Sequence, residues 1–155
     1  MRHLAAFVLL VLAGCANTPG AQTASLPSGA RVELSPKWVQ EGAFRWPPQN
    51  GFDGAVTYLV LPAGVLLDRF GSDQGRFFSP KGASFGARAL PTVCTDLVYS
   101  VYRVHTPLPV KIGSAAPWFD EPGGGIQVQT DASAAQLVAD GVLLRVPTNA
   151  SPCGS

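Results

Sequence analysis

The stretch Leu66–Leu90, LLDRFGSDQGRFFSPKGASFGARAL, decides the fold and holds the densest group of functional side chains in the chain. It contains four cations, four aromatic residues, four glycines and one proline. Glycine lets the backbone approach a ligand closely, arginine forks onto phosphate oxygens, and aromatic faces stack on flat rings. The same composition is also typical of a twisted hairpin with a solvated basic edge. The stretch therefore indicates either a nucleotide site or an ordinary β-hairpin.

Further motifs flank this stretch on both sides. RWPPQNGF lies at 45–52, APWF at 116–119 and PGGGIQ at 122–127. Between them, in one order, stand LDRFG, GRFFSP, RALP and LPV. Together these motifs resemble the tuberculosis necrotizing toxin family of small secreted NAD glycohydrolases, which has relatives on fungal surfaces. The resemblance covers about residues 46–146, and several motifs in one order are more specific than any single one.

Composition predicts one small domain that is rich in strands. The chain has 155 residues, of which 46% are hydrophobic and only 14% are charged. Its 17 glycines and 14 prolines favour short strands and turns over a helical bundle. We predict an α+β, mostly β domain of about six or seven strands with one short C-terminal helix. The resemblance implies compact twisted sheets related to the ADP-ribosyltransferase fold, with NAD in a cleft between strands.

Alternation and turn signals predict the individual elements. Asp131 is expected to cap a short helix over residues 132–140, which Gly141 ends. Strands are expected at 56–60, 65–70, 76–78, 98–105, 108–112, 126–129 and 142–146.

The N-terminus is typical of an export signal. A basic start precedes an apolar run that ends in Leu12-Ala13-Gly14-Cys15, the pattern of a bacterial lipobox. The run is too short to span a bilayer as a stable helix. We predict a signal peptide over 1–14, lipidation of Cys15 and a flexible tether over 15–36. An ordinary signal peptide with a chance cysteine is the alternative. The domain would then occupy 37–147 and a C-terminal tail 148–155.

Charge and cysteine content indicate which binding partners and cofactors to expect. Cleavage would leave 10 Lys plus Arg against 10 Asp plus Glu, so no basic field indicates nucleic acid. Because Ala follows Cys15, the lipid anchor is expected to place the protein at the outer membrane or cell surface. Cys94 and Cys153 can pair in an oxidising compartment or remain free thiols. Two distant cysteines and His105 do not make a zinc site, so no metal is expected.

The resemblance assigns two catalytic positions. The arginine of its LDR-aromatic-Gly motif falls on Arg69, and the glutamine of its PGGGxQ motif falls on Gln127. Arg69 would clamp the substrate phosphates, and Gln127 would bond a ribose hydroxyl or the attacking water. The alternatives are a surface salt bridge of Arg69 with Asp73, and for Gln127 an exposed strand position such as we assume for Gln129. We expect Arg69 and Gln127 to face one narrow groove.

The remaining candidates are substrate-binding residues. Phe77 falls where the family keeps an aromatic ring near the nicotinamide, whereas Phe78 is assigned to the core. Trp118 would shape a pocket wall, with a core position as the alternative. Two arginines are secondary candidates for the phosphates or the adenosine ribose, and two glycines would let the backbone close over the nicotinamide ribose: Arg76, Arg88, Gly124 and Gly125.

The activity that the resemblance implies is hydrolysis of the nicotinamide–ribose bond of NAD or NADP. The resemblance implies that NAD is a substrate and not a cofactor, and the chain has no GxGxxG dinucleotide fingerprint that would indicate hydride transfer. A toxin role and an immunity protein are further expectations. The alternatives are a catalytically inactive envelope lipoprotein or binding module, and a protein ADP-ribosyltransferase. Gln127 stands where transferases carry a glutamate, which favours water as the acceptor.

Overall fold

The computed structural model describes residues 22–25, 31–149 and 152–153, with side chains described from residue 35 onward. The expected signal peptide and Cys15 lie outside the described residues. Within the segment expected to be a tether, β1 (Gln22–Ser25) and β2 (Arg31–Leu34) pair antiparallel, so this part of the backbone is hydrogen-bonded. A second hairpin follows, made of β3 (Val39–Gln40) and β4 (Ala43–Phe44).

Seven strands form the main sheet, and every pairing in it is antiparallel. The strands are β5 (Phe52–Leu61), β6 (Leu66–Phe70), β7 (Phe77–Pro80), β8 (Tyr99–Val104), β9 (Leu108–Ala115), β10 (Ile126–Gln129) and β11 (Leu143–Val146). Their order across the sheet is β11-β8-β6-β7-β10-β9-β5. The prediction of a mostly β, α+β domain is confirmed.

β7 joins the two halves of this sheet. Its first residues, Phe77 and Phe78, pair with β10, whereas Ser79 and Pro80 pair with β6. β6 and β7 therefore run together over only two residue pairs and then diverge. Arg69 of β6 lies just beyond the last of these pairs, so it has no partner on β7. The divergence leaves a fork in the sheet at Arg69.

In the described part of the chain one α-helix, α1 (Ala134–Ala139), connects β10 to β11 and packs on the sheet. Its cap is Ser133, whose hydroxyl accepts a hydrogen bond from the Gln136 N–H over 3.2 Å. The prediction that Asp131 caps the helix is therefore wrong by two residues, because the Ser133 side chain reaches the free N–H groups of the first turn. Gly141 follows the helix with φ +72°, as expected of a helix stop.

The main core lies between α1 and the sheet. Its fully buried members come from six strands and the helix: Leu67, Phe78, Tyr102, Val104, Leu108, Val110, Val128, Ala134, Leu137 and Leu143. A separate aromatic cluster ties the β3–β4 hairpin to the turn before β10, and consists of Val39, Phe44 and Phe119 with Trp38 and Trp118. No helix in the described part of the chain is long and apolar enough to cross a membrane.

Strand alternation gives the sheet two faces. The helix face carries Leu67, Phe78 and Val128, which lie in the core with α1. The neighbours of these residues on the same strands point the other way. We call the part of this opposite side that lies on β7, β10, β9 and β5 the open face, defined by Phe77, Gln127, Gln129, Lys111 and Tyr58.

Several element ends differ from the predicted ones. β5 begins at Phe52 and not at Val56, with a register shift between Asp53 and Thr57 that hid the strand in the sequence pattern. Cys94 and Cys153 form a disulfide with Cα atoms 5.6 Å apart, so the paired alternative is the one that the structure shows. This bond ties the described end of the C-terminal tail to the turn before β8.

Candidate functional site

Arg69 is a buried cation without a carboxylate partner among the described residues. It is only 7% exposed. Its NH1 donates a long hydrogen bond to the Phe77 carbonyl, at 3.4 Å, and its Nε has no hydrogen-bond partner. Burial lowers the pKa of Arg69 because desolvation penalises the charged form. An anion would satisfy these donors.

Gly75 makes the space that this guanidinium occupies. A Cβ atom at Gly75 would lie 2.1 Å from NH2 of Arg69 and 2.4 Å from NH1. The loop between β6 and β7 therefore lies directly against the guanidinium. The Gly75 carbonyl accepts from the N–H of Ala134 at 3.0 Å, which fixes the loop to the start of α1.

The alternative of a surface ion pair between Arg69 and Asp73 is not what the structure shows. Asp73 pairs instead with Arg145 and accepts a hydrogen bond from the Tyr102 hydroxyl. Its carbonyl accepts from the N–H of Ala135 at 2.9 Å. The carboxylate next to the loop is therefore already engaged, and Arg69 remains without a counter-charge.

Gln127 lies half-buried on the open face of β10. Its Nε2 donates to the Asn50 carbonyl at 3.0 Å. Its Oε1 lies 3.4 Å from where a Cβ of Gly51 would be, so a glycine there permits the close approach. The WPPQNGF and PGGGIQ motifs, far apart in sequence, therefore meet at this side chain.

Arg69 and Gln127 leave their strands toward opposite faces of the sheet. Arg69 follows Leu67 by two residues on the helix face, and its guanidinium carbon lies 5.7 Å from the Phe78 ring centre. Gln127 neighbours Val128, which is also on the helix face, so Gln127 points away. The expectation that both side chains face one groove stays a prediction. The two positions are linked through β7, whose Phe77 carbonyl contacts Arg69 and whose Phe77 ring belongs to the open face.

Phe77 and Gln129 are directly opposite each other on the open face. Phe77 is 38% exposed, so its ring is available to a ligand. Gln129 is 6% exposed and its Oε1 has no hydrogen-bond partner. The assumption that Gln129 is an exposed strand residue is therefore wrong, because its long cross-strand neighbours Phe77 and Lys111 flank it.

Arg88 lies in a buried ion pair with Asp68. Its NH1 lies 2.6 Å from Oδ1 of Asp68, and the two side chains are 6% and 0% exposed. Nε and NH2 of Arg88 both donate to the Ala83 carbonyl, at 3.2 and 2.7 Å. Asp68 also accepts from the Gly82 N–H at 2.9 Å and from the Tyr99 hydroxyl at 2.7 Å. All three nitrogens of Arg88 serve the fold, which favours a structural role over phosphate binding.

Arg76 is exposed, so its side chain is open to solvent. Its backbone carbonyl accepts a hydrogen bond from the Thr130 N–H at 3.0 Å.

The indole of Trp118 donates to the Arg45 carbonyl at 2.7 Å and packs 4.9 Å from the Trp38 ring. Trp118 therefore belongs to the aromatic cluster, which is the core alternative for it.

The glycine turn closes on the protein itself. The N–H of Gly124 donates to Ala115 at 2.7 Å, and that of Gly125 donates to Ala87 at 2.9 Å. A Cβ at Gly125 would lie 2.6 Å from the Ala87 carbonyl oxygen. Gly125 therefore brings Ala87, which directly precedes the RALP segment, close to the start of β10, and the backbone donors of both glycines are used within the protein.

The open face carries a cavity of about 260 Å³ that Gln129 lines together with Tyr58, Lys111 and Asp131. A second, of about 350 Å³, lies near Arg145 at the β8–β11 edge. Neither is lined by Arg69 or Gln127. Among the residues that the structure describes, no three His, Cys, Asp or Glu side chains cluster in a way that could hold a metal ion.

Two residues of this region carry no signal in the sequence that would have identified them. Gly75 is one glycine among several in its stretch, and only the position of the Arg69 guanidinium shows why it is needed. Gln129 lies at an alternating strand position whose burial depends on neighbours from other strands. Motif order pointed to Arg69 and Gln127, but not to the contacts around them.

The fold is shared with a known toxin. The structure of tuberculosis necrotizing toxin complexed with its immunity factor superimposes with a TM-score of 0.57 and 24% sequence identity, over 78% of this chain and 75% of that one. The conidial surface nicotinamide adenine dinucleotide glycohydrolase of Aspergillus fumigatus is 35% identical over 132 residues, which is 74% of this chain. The chain spans 56% of the length of that relative.

Residues 60–146 match the family model of tuberculosis necrotizing toxin. The match spans more than half of the chain and contains Arg69, Phe77 and Gln127. The chain belongs to the tuberculosis necrotizing toxin family.

Proposed function

We propose that this chain is an NAD glycohydrolase, which hydrolyses the bond between nicotinamide and ribose and releases nicotinamide and ADP-ribose. Family membership and the name of the fungal relative support this activity. The observation that carries the proposal is the buried guanidinium of Arg69, which has no carboxylate partner in the described part of the chain and whose Nε donor is unpaired. A buried cation of this kind is costly unless a ligand completes it.

The reaction asks for positioning and electrostatics and not for covalent catalysis. The leaving group is a neutral pyridine, and the ribose acquires the character of an oxocarbenium ion as the bond breaks. The protein must hold the phosphates, orient the nicotinamide and admit one water molecule. In the proposal, different parts of one extended substrate are held by residues on the two strands that flank β7, which are β6 and β10.

Arg69 binds the pyrophosphate in this proposal, because a guanidinium forks onto phosphate oxygens and no carboxylate of the described residues pairs with it. Phe77 stacks on the nicotinamide through its exposed ring. The Gln127 amide, held by Asn50, bonds a ribose hydroxyl or the attacking water without adding charge. Arg76 remains a secondary candidate for the phosphates, since its side chain is exposed.

The test is release of nicotinamide from NAD and NADP by the purified chain. Arg69→Ala and Gln127→Ala should each lower kcat/KM by about a hundredfold. Arg69→Lys keeps the charge and loses the fork, and should cost about tenfold. Arg103→Lys, at an exposed position on β8, is the matched control and should change nothing. Full turnover in both alanine variants would contradict the assigned roles, and no turnover in the wild type would contradict the activity.

Transfer of ADP-ribose to a protein is separated from hydrolysis by the fate of labelled NAD. When the chain and labelled NAD are incubated with cell lysate, hydrolysis leaves the label on free ADP-ribose, whereas a transferase leaves it on protein. The acidic residues that directly precede the glycine turn in the sequence, Asp120 and Glu121, do not lie on β10. This position supports water as the acceptor.

Export through a lipid anchor at Cys15, and inhibition by an immunity protein, belong to the same proposal. A disulfide between Cys94 and Cys153 suits an oxidising compartment. Labelling of the expressing bacteria with a palmitate analogue should mark the wild type and not Cys15→Ser. If both are unmarked, the anchor is not used.

A further inference from the structure

Gln129 is the buried polar side chain of the open face that the mechanism above does not use. It is 6% exposed, and its Oε1 has no hydrogen-bond partner. Buried side-chain amides are almost always paired, because an unpaired acceptor loses its bonds to water and gains nothing in return. An acceptor left in this state beside a cavity indicates a ligand that donates to it.

The surroundings of Gln129 suit a flat ligand. Phe77 lies directly opposite it on β7, and side chains at such positions are about 5 Å apart at Cβ. Gln127 lies two residues from Gln129 on the same face of β10, so a ligand held between Phe77 and Gln129 lies next to Gln127. Gln129 also lines the cavity of about 260 Å³ on this face.

The charges around the cavity are balanced. Lys111 and Asp131 both line it, and the Lys111 ammonium lies 5.7 Å from the centre of the Tyr58 ring. No excess of positive charge therefore draws a carboxylate to Gln129. Selection at this position depends on the hydrogen-bonding pattern of the ligand and not on its charge.

We propose that Gln129 binds the carboxamide of the nicotinamide ring, and that it selects NAD over nicotinic acid adenine dinucleotide; this inference rests on the proposed function. A primary amide offers one acceptor and two donor hydrogens. Oε1 of Gln129 accepts from the carboxamide NH₂, and Nε2 donates to its carbonyl. The carboxylate of the nicotinic acid analogue has no hydrogen to donate, so its oxygen and Oε1 of Gln129, both negatively charged acceptors, would repel each other.

The test compares kcat/KM for the two dinucleotides in the full chain. The wild type should prefer NAD by about tenfold or more. Gln129→Leu, which keeps the volume and removes the amide, should lower kcat/KM for NAD about tenfold and leave the analogue within about twofold. Gln40→Leu, at an exposed position of β3, is the control and should preserve the preference. An unchanged preference in Gln129→Leu, or an equal loss for both substrates, overturns the inference.

Two further measurements keep the inference separate from the proposed function and from folding. Binding of nicotinamide alone, followed by saturation-transfer NMR, should weaken in Gln129→Leu; equal binding overturns the inference even if the wild type hydrolyses neither dinucleotide. If Gln129→Leu fails to fold, Gln129→Glu replaces it. This variant keeps an acceptor and adds a charge, so the analogue should lose more kcat/KM than NAD, and the reverse order would contradict the role.

Discussion

At the scale of single residues, the most informative feature is a cation whose position depends on a glycine. The Arg69 guanidinium fills the place where any side chain at Gly75 would begin. The atoms that a new Cβ would meet are the far end of a flexible side chain, so the clash can be relieved by moving the guanidinium. The chain can therefore tolerate a methyl group at Gly75, but Arg69 cannot keep its position.

We expect Gly75→Ala to lower NAD hydrolysis about tenfold with little loss of thermal stability, because the guanidinium that we propose to bind the phosphates is displaced. A double-mutant cycle checks the cause: in an Arg69→Ala background, Gly75→Ala should have no further effect on kcat/KM. Additive losses in the double variant would mean that Gly75 acts independently of Arg69.

The two arginines that pair with carboxylates should differ strongly in their effect on stability. Arg88→Ala leaves the carboxylate of Asp68 buried beside a lost partner, and should lower the free energy of unfolding by about 3–5 kcal/mol. Arg145→Ala breaks a pair with Asp73 that is half exposed, and should cost about 1 kcal/mol or less. Urea unfolding of both variants measures the difference. Equal losses would show that burial does not set the value of these pairs.

The sequence identified these residues unevenly. Motif order located Arg69 and Gln127, because their neighbours Gly71 and Gly125 stand in recognisable patterns. It could not distinguish Arg88, buried against Asp68, from a ligand-binding arginine, since both residue types and spacing are the same in either case. Arg88 is buried because the segment 82–99 folds back over β6. Such a tertiary contact cannot be read from the sequence pattern.

At the scale of elements, most strands could be predicted from alternation, and the exceptions have local causes. β10 has the predicted bounds, and β8 differs from the predicted strand by one residue at each end. β5 was shortened in the prediction, because the register shift near Gly54 breaks its alternation. β7 is predicted to end at Phe78, yet Ser79 and Pro80 still pair with β6, and Pro80 is the last residue of the strand, where the missing N–H costs little.

The disulfide is the element-scale feature with the largest expected effect on stability. It joins residues 59 positions apart, and closing a loop of that length should stabilise the fold by about 4 kcal/mol in the chain-entropy description. We therefore expect Cys94→Ala/Cys153→Ala to unfold at lower urea than the wild type. Reductant should lower the wild-type midpoint to that of the variant and leave the variant unchanged. A wild-type midpoint that reductant does not alter would mean that the bond contributes nothing.

At the scale of the whole molecule, alkaline pH should weaken the fold through two tyrosines, Tyr102, which is buried, and Tyr99, which is half-buried. Burial first, and then the hydrogen bond to Asp68, raises the pKa of Tyr99 above its ordinary value, and burial raises that of Tyr102. The unfolded chain loses these protons near pH 10 while the folded chain keeps them. The stabilisation is therefore complete below pH 10 and declines as the pH rises above it.

The free energy of unfolding, measured between pH 8 and about pH 11.5, should thus stay level and then fall. Tyr99→Phe removes one of the two groups, so its curve should fall less steeply above about pH 10 although it begins lower. Parallel curves for the wild type and Tyr99→Phe would show that Tyr99 does not contribute to the decline.

The pairing of β7 with both β6 and β10 has a consequence for how the domain moves. Two residue pairs bind this strand to β6 and two bind it to β10, whereas β5 and β9 are joined along seven. Thermal fluctuations that shear the domain should concentrate at this seam, with each half of the sheet moving as a block. Backbone amides of β7 should accordingly exchange with deuterium sooner than those of β9. The same motions would widen and narrow the fork in the sheet at Arg69.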